Sequence, residues 1–425
     1  MDAAERAAAA TAAGGAVVEV AHAVEGVHRA VLGRVRRGLG AVPAVSSLAA
    51  APADAVDAAT ALTYRLVRAG ARAAGGTAAV AVRMSTDASR TPWTATPQGT
   101  RAVAWLGSAF GDHLAADAGT AALAPAAAIR SRGRAVSGPA LPQEFPGAAG
   151  TVVVLLHGLA GHELQWPDEL GEAVRRAGGT PVAVRYTSGL PVAANGRALD
   201  RVLEDLVVHW PTPVTAIVVV GHSMGGLVAR SALAQAEPEA RWARLVTDLV
   251  TLGTPHGGAP LERVSHRALQ LLERWETTAP LALLGHRRAH GIKDLRFGAV
   301  VPAHWGGRHP DEVGGRRADD PTWSVPLSDG VRHTAVVATI AADPAGIAAA
   351  AVGDGLVPPR SAEGREDGQA AARVVHLGGT GHLALQREPR VVALVGQIVK
   401  RAATTGAGER PPAQGDLDHP DDSRA

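Results

Sequence analysis

The sequence has 425 residues, of which 46% are hydrophobic and 19% charged, so it holds enough apolar side chains to bury a large core. This length exceeds one minimal domain, and one main domain with an appended segment fits it. The 42 Lys and Arg residues nearly balance the 40 Asp and Glu residues, and the formal net charge of +2 argues against a nucleic-acid partner. The absence of cysteine excludes disulfides, thiolate metal ligands and a cysteine nucleophile.

The sequence carries no clear signal for export or membrane insertion. Residues 1–13 include acidic side chains and lack the basic start and apolar core of an export signal, so we expect a cytoplasmic protein. The most apolar window, residues 335–352, is interrupted by Asp343 and Pro344, and a spanning helix needs about 18 or more apolar residues. No transmembrane segment is expected, and peripheral contact with a membrane stays open.

The first part of the chain, residues 1–148, is alanine-rich and predicts a helical module. Apolar residues recur at helical spacing in segments 17–35, 62–67 and 103–114, the first of which carries a stripe of valines. We expect this module to pack on the rest of the chain. A lid, a membrane-surface contact and a dimerisation surface are the alternatives.

From Gly150 the pattern changes to short apolar runs that alternate with amphipathic stretches, which is typical of a parallel sheet with crossover helices. The predicted strands are Thr151 to Leu156, Pro181 to Tyr186, Val214 to Val220, Leu245 to Leu252, Thr334 to Ile340 and Arg373 to Leu377. The predicted helices are Gln165 to Arg176, Gly196 to His209, Met224 to Ala236 and Pro389 to Arg401.

These elements predict an α/β fold with a mostly parallel central sheet flanked by helices. We assign residues 149–403 to this domain. The alternation stops between residues 259 and 333, which we interpret as an inserted cap that begins with a helix. Residues 404–425 are polar and proline-rich, and we expect a disordered tail.

A glycine-flanked serine follows one of the predicted strands. Residues 221–226 are Gly-His-Ser-Met-Gly-Gly, with a valine-rich strand before them and a helix after them. In such a G-x-S-x-G turn, glycines two residues before and after the serine allow a bend sharp enough to expose the hydroxyl above the sheet. We therefore predict that Ser223 is a nucleophile.

A serine hydroxyl needs a base that takes its proton and a carboxylate that orients the base, and in this arrangement they follow in the order serine, acid, histidine. His382 lies between the last predicted strand and the final helix, and is the predicted base. Asp354, between two glycines, is the predicted acid, and Asp343, nearer the end of its strand, is the alternative. His376 lies inside the last strand and is expected to pack there or face solvent.

The negative oxygen of a tetrahedral intermediate needs preorganised donors. We predict that the backbone N–H of Met224, directly after the nucleophile, is one of them. The second is expected from the loop His157-Gly158-Leu159, which follows the first long strand, with Leu159 as its donor.

Three motifs together carry a family resemblance: His157-Gly158-Leu159, residues 221–226, and Thr-Leu-Gly-Thr-Pro-His-Gly-Gly at residues 251–258. Over about residues 150–400 the chain resembles the lipase and esterase branch of the α/β-hydrolases, including bacterial triacylglycerol lipases and GPI inositol-deacylase-like hydrolases. The resemblance implies hydrolysis of carboxylic esters with apolar acyl groups and no organic cofactor. Secreted lipases of similar pattern often carry an export signal and a calcium site, and this chain shows no such signal.

Further polar and aromatic residues bracket the predicted site. We assign His157, His222, His256 and Trp305 to the substrate pocket, and expect His222 also to pack within the serine turn. Acidic and histidine side chains of the insertion show no spacing typical of metal ligands, and we predict no metal site. They are Asp311, Asp319, Asp320, Asp329, His286, His290, His304 and His309.

The motifs favour a serine hydrolase that cleaves apolar or lipid-like carboxylic esters through an acyl-enzyme. An acyltransferase or a thioesterase is the alternative among enzymes, because either resolves the same intermediate with a different nucleophile or acyl donor. A non-catalytic interaction module is the alternative outside enzymes. The acyl chain, the alcohol portion and the oligomeric state are left open.

Overall fold

The structure is a computed structural model of the whole chain. Described are residues 96–259, 262, 289–313, 323–346, 353–364 and 371–405, together with parts of the first 79 residues. Those parts are residues 6–16, 18–19, 21–22, 25–26, 29, 61, 64–65, 67–73, 75–77 and 79. The expected helix at the start of the insertion, most of the valine stripe and the expected disordered tail lie outside the described residues.

An eight-stranded sheet forms the centre of the described molecule, in the order β2-β1-β4-β3-β5-β6-β7-β8. The strands are β1 Ala128–Ser131, β2 Arg134–Val136, β3 Thr151–Leu156, β4 Gly179–Arg185, β5 Ala216–His222, β6 Val246–Leu252, β7 Arg332–Thr339 and β8 Arg373–Gly378. β1 pairs antiparallel with β2 and β4, whereas the pairs from β4 to β8 are all parallel. The predicted mostly parallel sheet is confirmed.

Helices flank both faces of this sheet. They are α1 Pro97–Ala116, α2 Leu141–Glu144, α3 Asp168–Arg176, α4 Val192–His209, α5 Met224–Gln235, α6 Arg241–Leu245, α7 His290–Asp294, α8 Pro359–Ala362 and α9 Pro389–Thr405. Short 3₁₀ helices cover Ala121–Leu123, Gly138–Ala140, Glu163–Gln165, Pro302–Trp305, Pro310–Glu312 and His382–Arg387. No described helix has the length and the apolar character needed to cross a membrane.

The two faces of the sheet bury separate apolar cores. In β5, Ile217 and Val219 pack in the core that contains residues of α4 and α5, while Val218 and Val220 pack in the core with residues of α3 and α9. Successive side chains of a strand point to opposite faces, so a strand covered by helices on both sides must be apolar at every position. This requirement explains the uninterrupted valine runs of the sequence.

The sheet begins earlier in the chain than the sequence suggested. β1 and β2 form a hairpin at its edge and lie within residues 1–148, the segment for which the sequence predicts a helical module. The two strands are short and each contains an arginine, so they lack the valine runs of the central strands. The turn signal is present in Arg132 and Gly133, both of which have positive φ angles (49° and 79°).

Helix α1 packs directly on the sheet domain. Its Thr100 hydroxyl accepts a hydrogen bond from Arg185 Nη2 at 2.7 Å. A Cβ added at Gly111 would lie 2.7 Å from a Thr187 methyl, and Gly189 N donates to Gly107 O at 3.0 Å. Glycines let the helix approach the loop after β4 this closely. The described contacts of α1 therefore favour packing on the sheet domain.

The described part of the insertion between β6 and β7 has its own small aromatic cluster. Phe297, Trp305 and Trp323 bury their rings together with Ala299 and Val313. Helix α7 precedes this cluster and contacts α1. The insertion thus starts after β6, whose last residue contacts the turn with the predicted nucleophile, and its helix α7 contacts the N-terminal helix α1.

Candidate active site

Ser223 lies at the turn between β5 and α5 in a strained backbone conformation. Its φ is 53° and its ψ is −123°, a backbone conformation that residues other than glycine rarely adopt. The turn is held because Ser223 N donates to Leu252 O at 2.8 Å and Gly226 N donates to Ser223 O at 3.1 Å. Such a strained strand–turn–helix connection is typical of a nucleophile elbow.

The glycines of this turn are required by close approaches of the backbone. A Cβ at Gly221 would lie 2.5 Å from Gly226 N, and one at Gly225 would lie 2.4 Å from Leu156 O. Both distances are below normal contact, so any larger residue would force the turn open. The motif that predicted the elbow therefore follows from steric contacts in the fold.

His382 and Asp354 form a buried pair. The His382 Nδ1 atom lies 2.6 Å from Asp354 Oδ2, and the other carboxylate oxygen accepts from Val357 N at 2.8 Å and Leu356 N at 3.0 Å. A carboxylate can only accept, so Nδ1 carries the proton and Nε2 is left with its lone pair. The alternative acid, Asp343, instead accepts from Ala345 N at 3.0 Å in the loop after β7.

Gly253 provides the space that this pair occupies. Its φ is 57°, and an added Cβ would lie 2.9 Å from Asp354 Oδ2 and 3.1 Å from His382 Nδ1. Gly253 is the first residue after β6 and belongs to the Gly-Thr-Pro-His-Gly motif. The motif thus has a steric role beside the acid and the histidine.

A cavity of about 490 Å³ brings Ser223 and His382 together. Among the described residues, no hydrogen bond joins Ser223 Oγ to the imidazole; such bonds are often long before substrate binds. Most of the cavity lining is apolar. The described lining residues are Gly158, Leu159, Gln165, His222, Ser223, Pro255, Ala259, Glu262, Ile292, Leu295, Leu356, Val357, His382, Leu383, Gln386 and Arg387.

The loop after β3 is fixed by hydrogen bonds of its first residue. His157 Nε2 accepts from Tyr186 N at 3.2 Å, so the proton is on Nδ1, which donates to Gly158 O at 2.9 Å. Burial lowers the pKa of His157 to about 4, so the ring is neutral near pH 7. The Tyr186 ring stacks on the imidazole with centroids 4.2 Å apart, and the tyrosine hydroxyl donates to His157 O. This histidine therefore positions the loop.

The two expected oxyanion donors lie on either side of the serine turn, one in the loop after β3 and one at the start of α5. Leu159 lines the cavity, and Met224 directly follows the serine at the start of α5. Neither N–H has an acceptor within the described part of the chain. Two free N–H groups beside a nucleophile are what a developing oxyanion requires.

The four residues assigned to the pocket are placed differently by the structure. Only His222 lines the cavity; its Nε2–H donates to His382 O at 3.0 Å, and burial lowers its pKa to about 3. His157, the first residue of the loop after β3, is fully buried and does not line the cavity. His256 Nδ1 is buried against Arg230 Nη1 at 3.0 Å, and Trp305 packs in the aromatic cluster of the insertion. The sequence does not reveal these orientations because they depend on distant contacts.

The residues that sequence reasoning missed lie next to the predicted triad. Leu356 and Leu383 are two and one residues from Asp354 and His382, line the cavity, and are 44% and 76% exposed. Gln386 follows one turn later in the 3₁₀ helix His382–Arg387. Their proximity to the predicted acid and base was the available signal.

The topology and the elbow together define the class. A mostly parallel sheet with helices on both faces, a strained serine turn after β5 and a His–Asp pair after β7 and β8 make this an α/β-hydrolase fold.

Comparison with protein families gives a match to the PGAP1-like alpha/beta domain over residues 197–297. The matched range includes α4, β5, the elbow, β6 and the described start of the insertion as far as Phe297. The expected likeness to α/β-hydrolases of the lipase and esterase type is confirmed. Comparison with curated protein sequences gives no significant match.

Comparison with solved structures gives matches at low identity, among them a lipase and an esterase. The mature lipase BlEst2 of Bacillus licheniformis is 18% identical, covers 60% of this chain and 93% of its own, and has a TM-score of 0.38. The product of lin2722 from Listeria innocua is 13% identical, with coverages of 58% and 92% and a TM-score of 0.36. The Pyrococcus furiosus esterase Pf2001 is 15% identical, with coverages of 60% and 82% and a TM-score of 0.35.

Proposed function

We propose that this chain is a serine hydrolase that cleaves carboxylic esters with apolar acyl groups through an acyl-enzyme. The observation that carries the proposal is the arrangement at one cavity: Ser223 on a strained turn, and His382 with its Nδ1 proton held by Asp354. Geometry of this kind defines the triad regardless of fold.

In the first half of the reaction, His382 Nε2 takes the Ser223 proton while Oγ forms a bond to the ester carbonyl carbon. The carbonyl π electrons move to its oxygen, which accepts from the N–H groups of Leu159 and Met224. Collapse of this intermediate breaks the bond to the alkoxy oxygen, and His382 returns the proton to the leaving alcohol. Asp354 stays ionised and stabilises the imidazolium.

In the second half, water attacks the acyl carbon while His382 takes a proton from it. A second tetrahedral intermediate uses the same two donors, and its collapse releases the carboxylic acid and restores the Ser223 hydroxyl. Atoms balance as ester plus water giving acid plus alcohol. Acyl transfer to another alcohol would follow if that nucleophile replaced water.

The cavity lining indicates an apolar acyl group. Ile292 and Leu295 of the insertion, together with Leu159, Leu356 and Val357, provide aliphatic surface around the serine. Burial of aliphatic surface is worth about 0.8 kcal/mol per methylene, so longer acyl chains should bind better until the cavity is filled.

A fluorophosphonate probe tests the proposed nucleophile. We expect wild-type protein to be labelled, and peptide mapping to place the label on Ser223, because only an activated serine attacks phosphorus readily. Ser223→Ala should lose the label. Ser131→Ala is a matched control, because its hydroxyl contacts Glu144 at 2.9 Å on β1, away from the cavity. A label that persists in Ser223→Ala would refute the proposal.

A further inference from the structure

A second cavity, of about 320 Å³, lies on the other side of α7 from the acyl cavity. Ile292 and Leu295 face the acyl cavity, whereas His290 and Asp294 line the second one. Residues four apart lie on the same side of a helix, so this short helix forms a wall common to both cavities.

Two arginines line the second cavity. Arg197 from α4 and Arg308 from the loop after Pro302–Trp305 both line it, together with His290. The Arg197 guanidinium donates to Gln235 Oε1 at 2.7 Å, and neither arginine pairs with a carboxylate of the described residues. Guanidinium groups match the planar geometry of carboxylates and the oxygens of phosphates.

The acid that lines the cavity competes little with an external anion. Asp294 is buried, and its two oxygens already accept from Val192 N at 2.7 Å and from Trp305 Nε1 at 2.8 Å. Burial raises the pKa of Asp294 to about 7, so its carboxyl is partly neutral at neutral pH. The charge that an incoming ligand meets is therefore positive.

The rest of the lining is apolar. Ala193, Ala194, Val301 and Pro302 line the cavity, and the buried indole of Trp305 forms part of its wall. A ligand that fills this space needs a short apolar body beside its charged group. Inorganic phosphate alone would leave the apolar wall uncovered.

We propose that the second cavity binds a small organic anion, with a carboxylate or phosphate head at Arg197 and Arg308 and a short apolar body against Trp305. Occupancy also acts on the acyl cavity, because the ligand contacts the same helix that carries Ile292 and directly precedes Leu295. This second part rests on the proposed function, whereas anion binding itself does not.

Calorimetric titration of the full chain tests the binding. The probes are hexanoate, hexyl phosphate and the neutral analogue hexanol. The double variant, Arg197→Gln together with Arg308→Gln, removes both charges at the cavity. The control double variant, Arg201→Gln together with Arg360→Gln, makes the same change in net charge at exposed arginines that do not line this cavity. Binding at the acyl cavity is common to both pairs, so a difference between them reports the second cavity.

We expect at least one of the two anions to bind about tenfold or more weakly to the Arg197/Arg308 variant than to the control pair, and hexanol to bind both equally. The preferred anion identifies the head group. Ala194→Phe fills the cavity without changing the charge, so we expect this variant to lose the same anion affinity.

Equal anion affinity in the variant and control pairs would overturn the proposal, as would binding of hexanol as tight as that of the anions. If the fluorophosphonate probe did not label Ser223 of the wild type, the proposed hydrolase function would be refuted, whereas the proposal of anion binding would be unaffected. With hydrolysis as a second readout, we expect the anion to change KM for esters in the wild type and not in the Arg197/Arg308 variant.

Discussion

Gly253 shows how a single residue without a side chain shapes the site. The φ of 57° at this position and the short distances from an added Cβ to Asp354 and His382 leave room for hydrogen only. The sequence motif marked this segment as lipase-like but gave no reason for the glycine. The reason is a contact between residues more than a hundred positions apart in the chain.

We predict that Gly253→Ala lowers kcat about 100-fold, because a displacement of about 1 Å in catalytic groups costs that much. Gly379→Ala is the matched control. Its φ is 70°, similar to that of Gly253, yet an added Cβ would meet nothing within 4 Å. Both variants carry the same backbone strain of about 1–2 kcal/mol, and only Gly253→Ala adds short contacts to the acid and the histidine, so ester hydrolysis should separate the two variants. Equal losses of kcat would mean that strain, not displacement of the acid–base pair, controls activity.

The proposed triad was predictable at the residue scale because each member follows a predicted strand within a glycine-rich loop. The structure brings Asp354 within 2.6 Å of His382, whereas the alternative acid Asp343 contacts its own loop. The pocket was less predictable. His157 and His256 belong to motifs around the site, but hydrogen bonds to Tyr186 and Arg230 turn their rings elsewhere.

At the scale of elements, the central strands followed from the sequence and the edge strands did not. β3 begins and ends where the apolar run predicts, because a strand buried on both faces is apolar throughout. The hairpin of β1 and β2 lies at the sheet edge, where only part of each strand is buried. Its short segments, each with an arginine, therefore resemble an exposed loop in the sequence.

Helix α7 of the insertion carries Ile292, which lines the acyl cavity, so this side chain should affect acyl preference. We predict that Ile292→Phe narrows the cavity and lowers the ratio of kcat/KM for a dodecanoyl ester to that for a butyryl ester about tenfold. In tight apolar pockets, one methylene more or less changes the discrimination between two substrates by roughly 10- to 200-fold. The measurement is hydrolysis of p-nitrophenyl esters of increasing chain length.

Val208→Phe, at a half-exposed position on α4 outside the cavity, controls for the added ring. It should leave the ratio unchanged. An unchanged ratio in Ile292→Phe would show that the acyl chain does not contact α7.

At the scale of the whole molecule, buried histidines make stability depend on pH. Burial lowers the pKa of His157 to about 4 and the pKa values of His222 and His333 to about 3. Between pH 6.5 and 4 the unfolded chain binds protons at these sites that the folded chain does not. Folding stability therefore falls as pH falls through this window, by about 1.4 kcal/mol per pH unit for each such histidine.

The variant His333→Gln should reduce this slope by about 1.4 kcal/mol per pH unit. His333 Nε2 contacts Thr251 Oγ1 at 2.9 Å, a contact that the glutamine amide can replace. Urea unfolding at pH 7 and pH 5 measures the effect, with exposed His113→Gln as the control. Asp294 acts in the opposite direction, because its raised pKa makes the folded chain bind a proton over the same window. An unchanged slope in His333→Gln would contradict the lowered pKa of His333.

The proposed hydrolysis requires Ser223 to form a covalent bond to the acyl group. The most direct measurement is the mass of the protein quenched in acid within the first turnovers of a p-nitrophenyl ester, followed by peptide mapping. We predict a mass increase equal to the acyl group, located on Ser223, and neither adduct nor hydrolysis in Ser223→Ala. An adduct on another residue, or release of p-nitrophenol by Ser223→Ala at the wild-type rate, would rule out Ser223 as the nucleophile.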